Sequence, residues 1–204
     1  MDCYSTNMAN SYGGAVYLWS CEAEISNSTF INNSAQWGGA IGGSGSKQDL
    51  KTNITSCTFV NNANAVSGGA VYLASLVSES SQLNYNLFVN NKASYSGNDG
   101  TAIFSTGLLV IGDNNWFGNT VENSELDDSL FNSAVVRPNA WIILNSSVAA
   151  TRTFLGSPVS VTVDLTQLSN GSTISGSNLP LKIPVEVTVN GVETPSISTL
   201  NNGK

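Results

Sequence analysis

The sequence predicts an all-β chain: a right-handed parallel β-helix of about four to five coils, followed by a partial antiparallel β-sandwich. Three observations predict it. Phenylalanine recurs at a fixed interval of 29 residues, at Phe30, Phe59, Phe88 and Phe117. A Gly-Gly-Ala motif recurs between them, at Gly38-Gly39-Ala40-Ile41 and Gly68-Gly69-Ala70-Val71. Beyond Trp141 the pattern changes to apolar-polar alternation. The expected organisation is a repeat array over residues 1–120, a linker over 121–138 and a sandwich module over 139–204.

Each part of the repeat has a physical reason. The phenylalanines sit in Ser28-Thr29-Phe30-Ile31-Asn32-Asn33, Cys57-Thr58-Phe59-Val60-Asn61-Asn62, Asn86-Leu87-Phe88-Val89-Asn90-Asn91 and Asn115-Trp116-Phe117-Gly118-Asn119. A second apolar column lies five residues upstream, at Ile25, Ile54, Leu83 and a weaker Gly112 beside Ile111. Gly100-Thr101-Ala102-Ile103 is a degenerate third Gly-Gly-Ala motif. An earlier copy runs from Tyr4, standing in for Phe, to Gly13-Gly14-Ala15-Val16. Helical repeats need long stretches of 3.6-residue periodicity, and none is present. Short β-branched segments separated by Gly, Asn and Ser read as strands and turns. One repeat per coil stacks equivalent residues about 4.8 Å apart. Phe30, Phe59, Phe88 and Phe117 then form an internal stack, and Asn33, Asn62 and Asn91 a ladder of hydrogen-bonded amides. Glycine supplies a corner with positive φ.

Composition narrows the chemistry. The chain has 204 residues, with 7 Lys+Arg against 14 Asp+Glu and no histidine. A net charge of −7 without a basic stripe argues against nucleic acid and anionic membrane surfaces as partners. The missing imidazole excludes Ser-His-Asp triads and His-zinc sites. There is no run of eighteen apolar residues to span a bilayer, and Met1-Asp2-Cys3-Tyr4 does not open a signal peptide. Cys3, Cys21 and Cys57 are odd in number and lack CxxC spacing, so they read as buried small apolar residues. The 30 serines and 26 asparagines fit an uncharged stack, because a charge repeated along a column would repel its copies.

All five prolines follow residue 137, whereas glycine concentrates before residue 119, so the architecture changes near 120–138. Glu122, Glu125, Asp127 and Asp128 could offer oxygen to calcium, but their spacing matches no EF-hand, and a solvated linker is the reading adopted. Trp141–Leu144, Val159–Leu165 and Ile183–Val189 read as half-buried strands, with Pro184 at an edge or strand start and Asn190-Gly191 as a hairpin turn. A module of about 65 residues is short for a sandwich of roughly 100. The chain is therefore expected to be cut at both ends, leaving open sheet edges that favour association.

These motifs carry a resemblance. The chain resembles the adhesin-like surface proteins of methanogenic archaea, and its FxxN and GGA(I/V) repeats are similar to those of chlamydial polymorphic outer membrane protein passengers. Asn114-Asn115-Trp116-Phe117-Gly118 resembles the ending of the archaeal repeat arrays, which an immunoglobulin-like module follows. The resemblance implies an Ig-like stalk over 139–204 and an extracellular location at the cell surface. It also implies adhesion to a surface protein or glycan of a host or neighbouring cell, with no cofactor, no metal and no membrane insertion of this segment.

Exposed aromatics are the candidate binding residues. Tyr17, Trp19, Trp37 and Tyr72 lie near the Gly-Gly-Ala motifs, with Tyr12, Tyr85 and Tyr95 close in sequence. Tyr17 and Tyr72 share the setting Ala-Val-Tyr-Leu and are expected on one face, one or two coils apart. β-Helices also host polysaccharide lyases and glycoside hydrolases, which need convergent carboxylates. Glu22 and Glu24 alternate on one strand, but no convergent acid-base set emerges, and no catalytic residue is assigned. Two alternatives to adhesion remain, a carbohydrate-active enzyme or its inactive relative, and a structural spacer.

Overall fold

In the computed structural model the described residues are 2–4, 11–45, 51–75, 81–94, 100–106, 110–120, 123–132, 135–136, 138–149, 160–180, 183–185, 188–189, 192–193, 198–200 and 203. They contain no α-helix, and the strands stack in parallel as a β-solenoid. Each full coil has four faces. The first holds Val16–Trp19, Ile41–Gly45, Val71–Ser75 and Ile103–Thr106. The second holds Glu22–Ser26, Lys51–Thr55, Ser81–Asn84, Val110–Ile111 and Val135–Val136. The third holds Asp2–Tyr4, Thr29–Ile31, Thr58–Val60, Leu87–Val89, Trp116–Thr120 and Ile142–Val148. The fourth holds Ser34–Trp37, Ala63–Ser67 and Lys92–Ala93. Among the described residues, three coils carry all four strands and the next carries three, slightly fewer than the period alone suggested.

The register follows the period. Ile25 pairs with Ile54 and Ile54 with Leu83, while Phe30 pairs with Phe59 and Phe59 with Phe88. Inside the coils Leu18, Ile41, Ile54, Phe59, Val71, Leu73, Leu83 and Ile103 form one continuous core. The phenylalanine rings stack face to face, with centroids 5.0, 4.9 and 5.2 Å apart from Phe30 to Phe117. Phe131 closes the column edge-on against Phe117 at 5.0 Å. At the other end the register sets Cys3, not Tyr4, opposite Phe30, so the Tyr4 assignment is one residue out. The Tyr4 reading took an aromatic for an aromatic, whereas pairing obeys backbone register.

Three columns of left-handed residues turn the coil. Gly13, Gly38, Gly68 and Gly100 have φ between 60° and 74°. Asn27, Ser56, Tyr85 and Asn114 form a second column, and Asn32, Asn61 and Asn90 a third, all with positive φ. Asparagine tolerates this region better than other L-residues, which accounts for part of its abundance. The second glycine of each motif has a different cause. A Cβ on Gly14, Gly39 or Gly69 would sit 2.2, 2.2 and 2.0 Å from a carbonyl oxygen of the next coil.

Past residue 120, where a linker and an Ig-like module are expected, several described strands join the sheets of the solenoid. Val135–Val136 pairs in parallel with Val110–Ile111 and so extends the second face past residue 120. Ile142–Val148 pairs in parallel with Trp116–Thr120, and Val161–Leu168 then adds antiparallel to it. Ile183–Val185 pairs with Ser198–Leu200, and Thr188–Val189 with Val192–Glu193, both antiparallel. A two-sheet immunoglobulin-like sandwich is not seen among the described residues. Alternation specifies only a strand with one apolar side, and here the solenoid flank receives it. Leu87, on the outer side of the third face, joins Ile142, Leu165, Leu168, Leu179 and Ile183 in a second core. Ser56 Oγ donates to the Asn178 carbonyl at 2.6 Å, fixing this segment to the coils.

Candidate functional site

Two polar ladders hold the coils in register. Asn62 Oδ1 accepts from both the backbone N–H and the Nδ2 of Asn33, each at 3.0 Å. Asn91 Oδ1 accepts the same two donors from Asn62, also at 3.0 Å. Asn62 Nδ2 also donates to the Phe30 carbonyl at 2.9 Å, and Asn91 Nδ2 to that of Phe59 at 3.0 Å. Each amide thus satisfies buried backbone groups at a turn that no strand pairing reaches.

A second ladder escaped the sequence reading. Its column is Ser28, Cys57, Asn86 and Asn115, again at the repeat interval. Asn115 Oδ1 accepts from Asn86 N at 2.8 Å and Asn86 Nδ2 at 3.0 Å, and Asn86 Oδ1 accepts from Cys57 N at 2.9 Å. Asn86 Nδ2 donates to the Ile54 carbonyl and Asn115 Nδ2 to that of Leu83. Cys57 Sγ lies 3.7 Å from the Ile25 carbonyl, the equivalent acceptor one coil earlier. The residue types differ along this column, so only its spacing marked it.

Cys57 is buried, and that burial pushes its thiol up to about 11 from 9.0. The thiol is the protonated, stabilising form in the fold. Its contribution is complete below the unfolded value and is lost as pH rises from about 9 to about 11. At pH 8 an alkylating reagent is expected to label the partly exposed Cys21 in the folded chain and Cys57 only after denaturation. Mass mapping of the adducts checks this, and equal labelling rates would contradict it.

The aromatic residues gather where the fourth face, which ends at Trp37 with Tyr12 as its register partner, turns into the outer side of the first face. Register sets Tyr17 opposite Gly42, Gly42 opposite Tyr72, and Tyr72 opposite Phe104. Tyr17 and Tyr72 therefore share a column two coils apart, with a glycine between them. Tyr12 occupies the neighbourhood this opens, its ring 5.4 Å from Tyr17, 5.8 Å from Tyr72 and 4.9 Å from Trp37. Gly42 must lack a side chain, since a Cβ there would stand 2.4 Å from Gly13 N. Phe104 stacks on Tyr72 at 5.3 Å and continues the column. It follows Ala102-Ile103 as Tyr72 follows Ala70-Val71, a positional signal that could have found it.

The group divides by exposure. Tyr72 is buried, and desolvation raises its phenol above the ordinary value, with neighbouring Tyr12 adding to the effect. Trp37 is partly buried, whereas Tyr17 is 47% and Trp19 58% exposed. Trp19 lies beside Tyr17 at 6.3 Å, tilted by 52°. The Tyr17 hydroxyl shares a hydrogen bond of 3.2 Å with Ser44 Oγ. Tyr85 belongs to the left-handed corner after the second face, away from this group, and Tyr95 lies outside the described residues.

The charged candidates fall elsewhere. Glu22 and Glu24 point outward from the second face, with Lys51 and Asn53 as their register partners. In the acidic stretch, Asp127 Oδ1 caps the short 3-10 turn Asp128–Leu130 by accepting from Ser129 N at 2.8 Å. That bond holds the Asp127 carboxyl below its usual value. Glu122 lies outside the described residues, among which no three metal-ligating side chains converge.

Residues 27–44 match the Chlamydia polymorphic membrane protein repeat. This segment runs from the Asn27 corner through Phe30 and Asn33 to the Gly38 corner and the first-face strand beyond it. No curated protein and no solved structure matches the chain. The matched residues span strands of the third, fourth and first faces and omit the second, so the similarity is to part of one repeat unit.

Proposed function

We propose that the chain is an extracellular, surface-displayed binding segment, an adhesin-like β-solenoid that attaches to a surface protein or glycan of a host or neighbouring cell. The observation that carries this reading is the first face, where Tyr17 and Trp19 stand exposed on a scaffold of stacked, hydrogen-bonded coils. Rings held in place by their neighbours lose little entropy on binding, and aromatic residues dominate recognition surfaces. Similarity of residues 27–44 to a polymorphic membrane protein repeat supports placement on an outer surface. The motifs also resemble those of methanogen adhesin-like proteins, and that origin is part of the proposal. The role is binding without catalysis, cofactor or metal, and the segment after residue 138 acts as a buttress on the solenoid flank.

Retention of the labelled chain on whole cells tests the reading. The Tyr17→Ala/Trp19→Ala double variant is expected to stay folded with its thermal transition lowered by no more than a few degrees, because Trp19 is more than half exposed and Tyr17 loses only its Tyr12 stack and Ser44 hydrogen bond. Its cell retention should fall by about tenfold or more. Unchanged retention would remove the first face as the binding surface, and a wild-type chain that is not retained would leave a spacer.

A further inference from the structure

The exposed aromatic pair carries a more specific assignment, resting on the adhesive reading above. We propose that Trp19 and Tyr17 form a platform for a pyranose ring of an uncharged oligosaccharide, with the Tyr17 hydroxyl, held by the buried Ser44, at its rim.

Shape is the first argument. Trp19 has Ser44 as its register partner in the next coil, and Ala74 follows in the coil after that. Tyr72 is covered by Phe104 and Tyr12, whereas the residues beyond Trp19 are too small to cover its ring in the same way. Among the described residues the ring neighbour of Trp19 is Tyr17. The result is an open step: an indole face above a floor of small side chains, beside a tyrosine fixed by Tyr12 and Ser44. A pyranose suits such a step. The C–H groups on its flat face carry partial positive charge and meet the electron-rich face of an aromatic ring, while its hydroxyls hydrogen-bond at the edge.

Charge is the second argument. The described strands of the first face read VYLW, IGGSG, VYLAS and IFST, without an Asp, Glu, Lys or Arg among them. The whole chain carries −7 and has no histidine. An anionic glycan would meet no cation on this face and a repulsive field around it. A basic protein would be drawn to the acids of the second face, Glu22 and Glu24, rather than to the rings. A stable protein interface also needs about 800 Å² per partner, built around a desolvated apolar centre. Tyr17 and Trp19 are the large exposed apolar side chains described on this face, a patch sized for one or two sugar rings. An uncharged sugar satisfies all of these conditions.

The test titrates the chain with neutral hexasaccharides of glucose, xylose, mannose and N-acetylglucosamine, and with polygalacturonate and heparan sulfate as anionic probes. Tryptophan fluorescence and calorimetry follow binding. At least one neutral probe is expected to bind, with little dependence on salt. Trp19→Ala should weaken it by about tenfold or more, and Trp19→Tyr, which keeps a ring, should restore most of it. Far-UV dichroism and the thermal transition of both variants should match the wild type. Failure of every neutral probe, preference for an anionic probe, or equal binding by Trp19→Ala would overturn the assignment. Periodate-oxidised cells separate it from the broader reading. If they retain the chain as untreated cells do, adhesion stands and its partner is a protein. If untreated cells retain nothing, both fall.

Discussion

Replacing Asn62 by alanine is expected to lower stability by about 3–5 kcal/mol, well above the effect of an ordinary surface change. The side chain is fully buried and serves three neighbours at once. Its Oδ1 is the acceptor shared by two Asn33 donors, and its Nδ2 supplies the Phe30 carbonyl and Asn91 Oδ1. Alanine removes all four contacts and leaves no path for water to replace them, so each orphaned group bears its desolvation cost of about 1–3 kcal/mol. Asn91→Ala removes similar bonds at a partly exposed position and should cost clearly less. Asn62→Asp adds a signature in pH. A carboxylate facing the Phe30 carbonyl and Asn91 Oδ1 is disfavoured, so its folded pKa is raised above the unfolded value of about 3.9. Stability should then fall as pH rises above about 4 and recover on acidification. Denaturant titrations of the three variants at two pH values check the ranking, and equal costs for Asn62→Ala and Asn91→Ala would contradict the ladder.

Gly39→Ala is the second large effect, expected at about 3 kcal/mol or more. The added methyl would lie 2.2 Å from the Gly69 carbonyl oxygen and 2.6 and 2.7 Å from backbone atoms of Ala63. Backbone cannot swing aside as a flexible side chain can, so two coils must part, and with them the hydrogen bonds of two faces. The chain itself supplies a comparison. Thr101 holds the equivalent place in the coil whose successor lacks the Gly-Gly-Ala motif, and there a Cβ is accommodated. Gly112→Ala is the control. Its new Cβ would meet only Asn115 Nδ2 at 3.7 Å and Ile103 Cδ1 at 3.8 Å, ordinary contacts, so stability should hold or rise by about 0.4–1 kcal/mol. Thermal unfolding of both variants decides, and similar transitions would show that the coils are not packed backbone to backbone.

Much of the solenoid was legible because identical residues recur at identical places. Phe30, Phe59 and Phe88 name their own column, and Asn33, Asn62 and Asn91 name theirs. The Ser28–Cys57–Asn86–Asn115 column was hidden because serine, cysteine and asparagine share it, and the amide ladder runs only through Asn86 and Asn115. The site was half legible. Trp19 meets Tyr17 directly, and Tyr17, Trp37 and Tyr72 meet around Tyr12. Tyr12 precedes Gly13-Gly14-Ala15 as Trp37 precedes Gly38-Gly39-Ala40 and pairs with Trp37 in register, a positional signal the aromatic residues alone did not give. The segment after residue 120 was the hardest. Val135–Val136 is too short to show a pattern, and alternation in Val161–Leu168 does not say which surface its apolar side will cover. One clue was present. The outer column of the third face runs Thr29, Thr58, Leu87, Trp116 and Ile142, turning apolar where a second layer covers it.

The central claim is that one repeat makes one coil, so that the phenylalanine and asparagine columns step by 29 residues, while the first face, next to loops of varying length, steps by 25, 30 and 32. Proton NOEs in a chain labelled only at phenylalanine test it most directly. Cross-peaks are expected between the rings of Phe30 and Phe59, Phe59 and Phe88, and Phe88 and Phe117, whose centroids lie 4.9–5.2 Å apart, together with an edge contact from Phe117 to Phe131. A folded chain in which neighbouring phenylalanines show no mutual contact, or in which Phe30 contacts Phe88 directly, would contradict the stack and every column built on it.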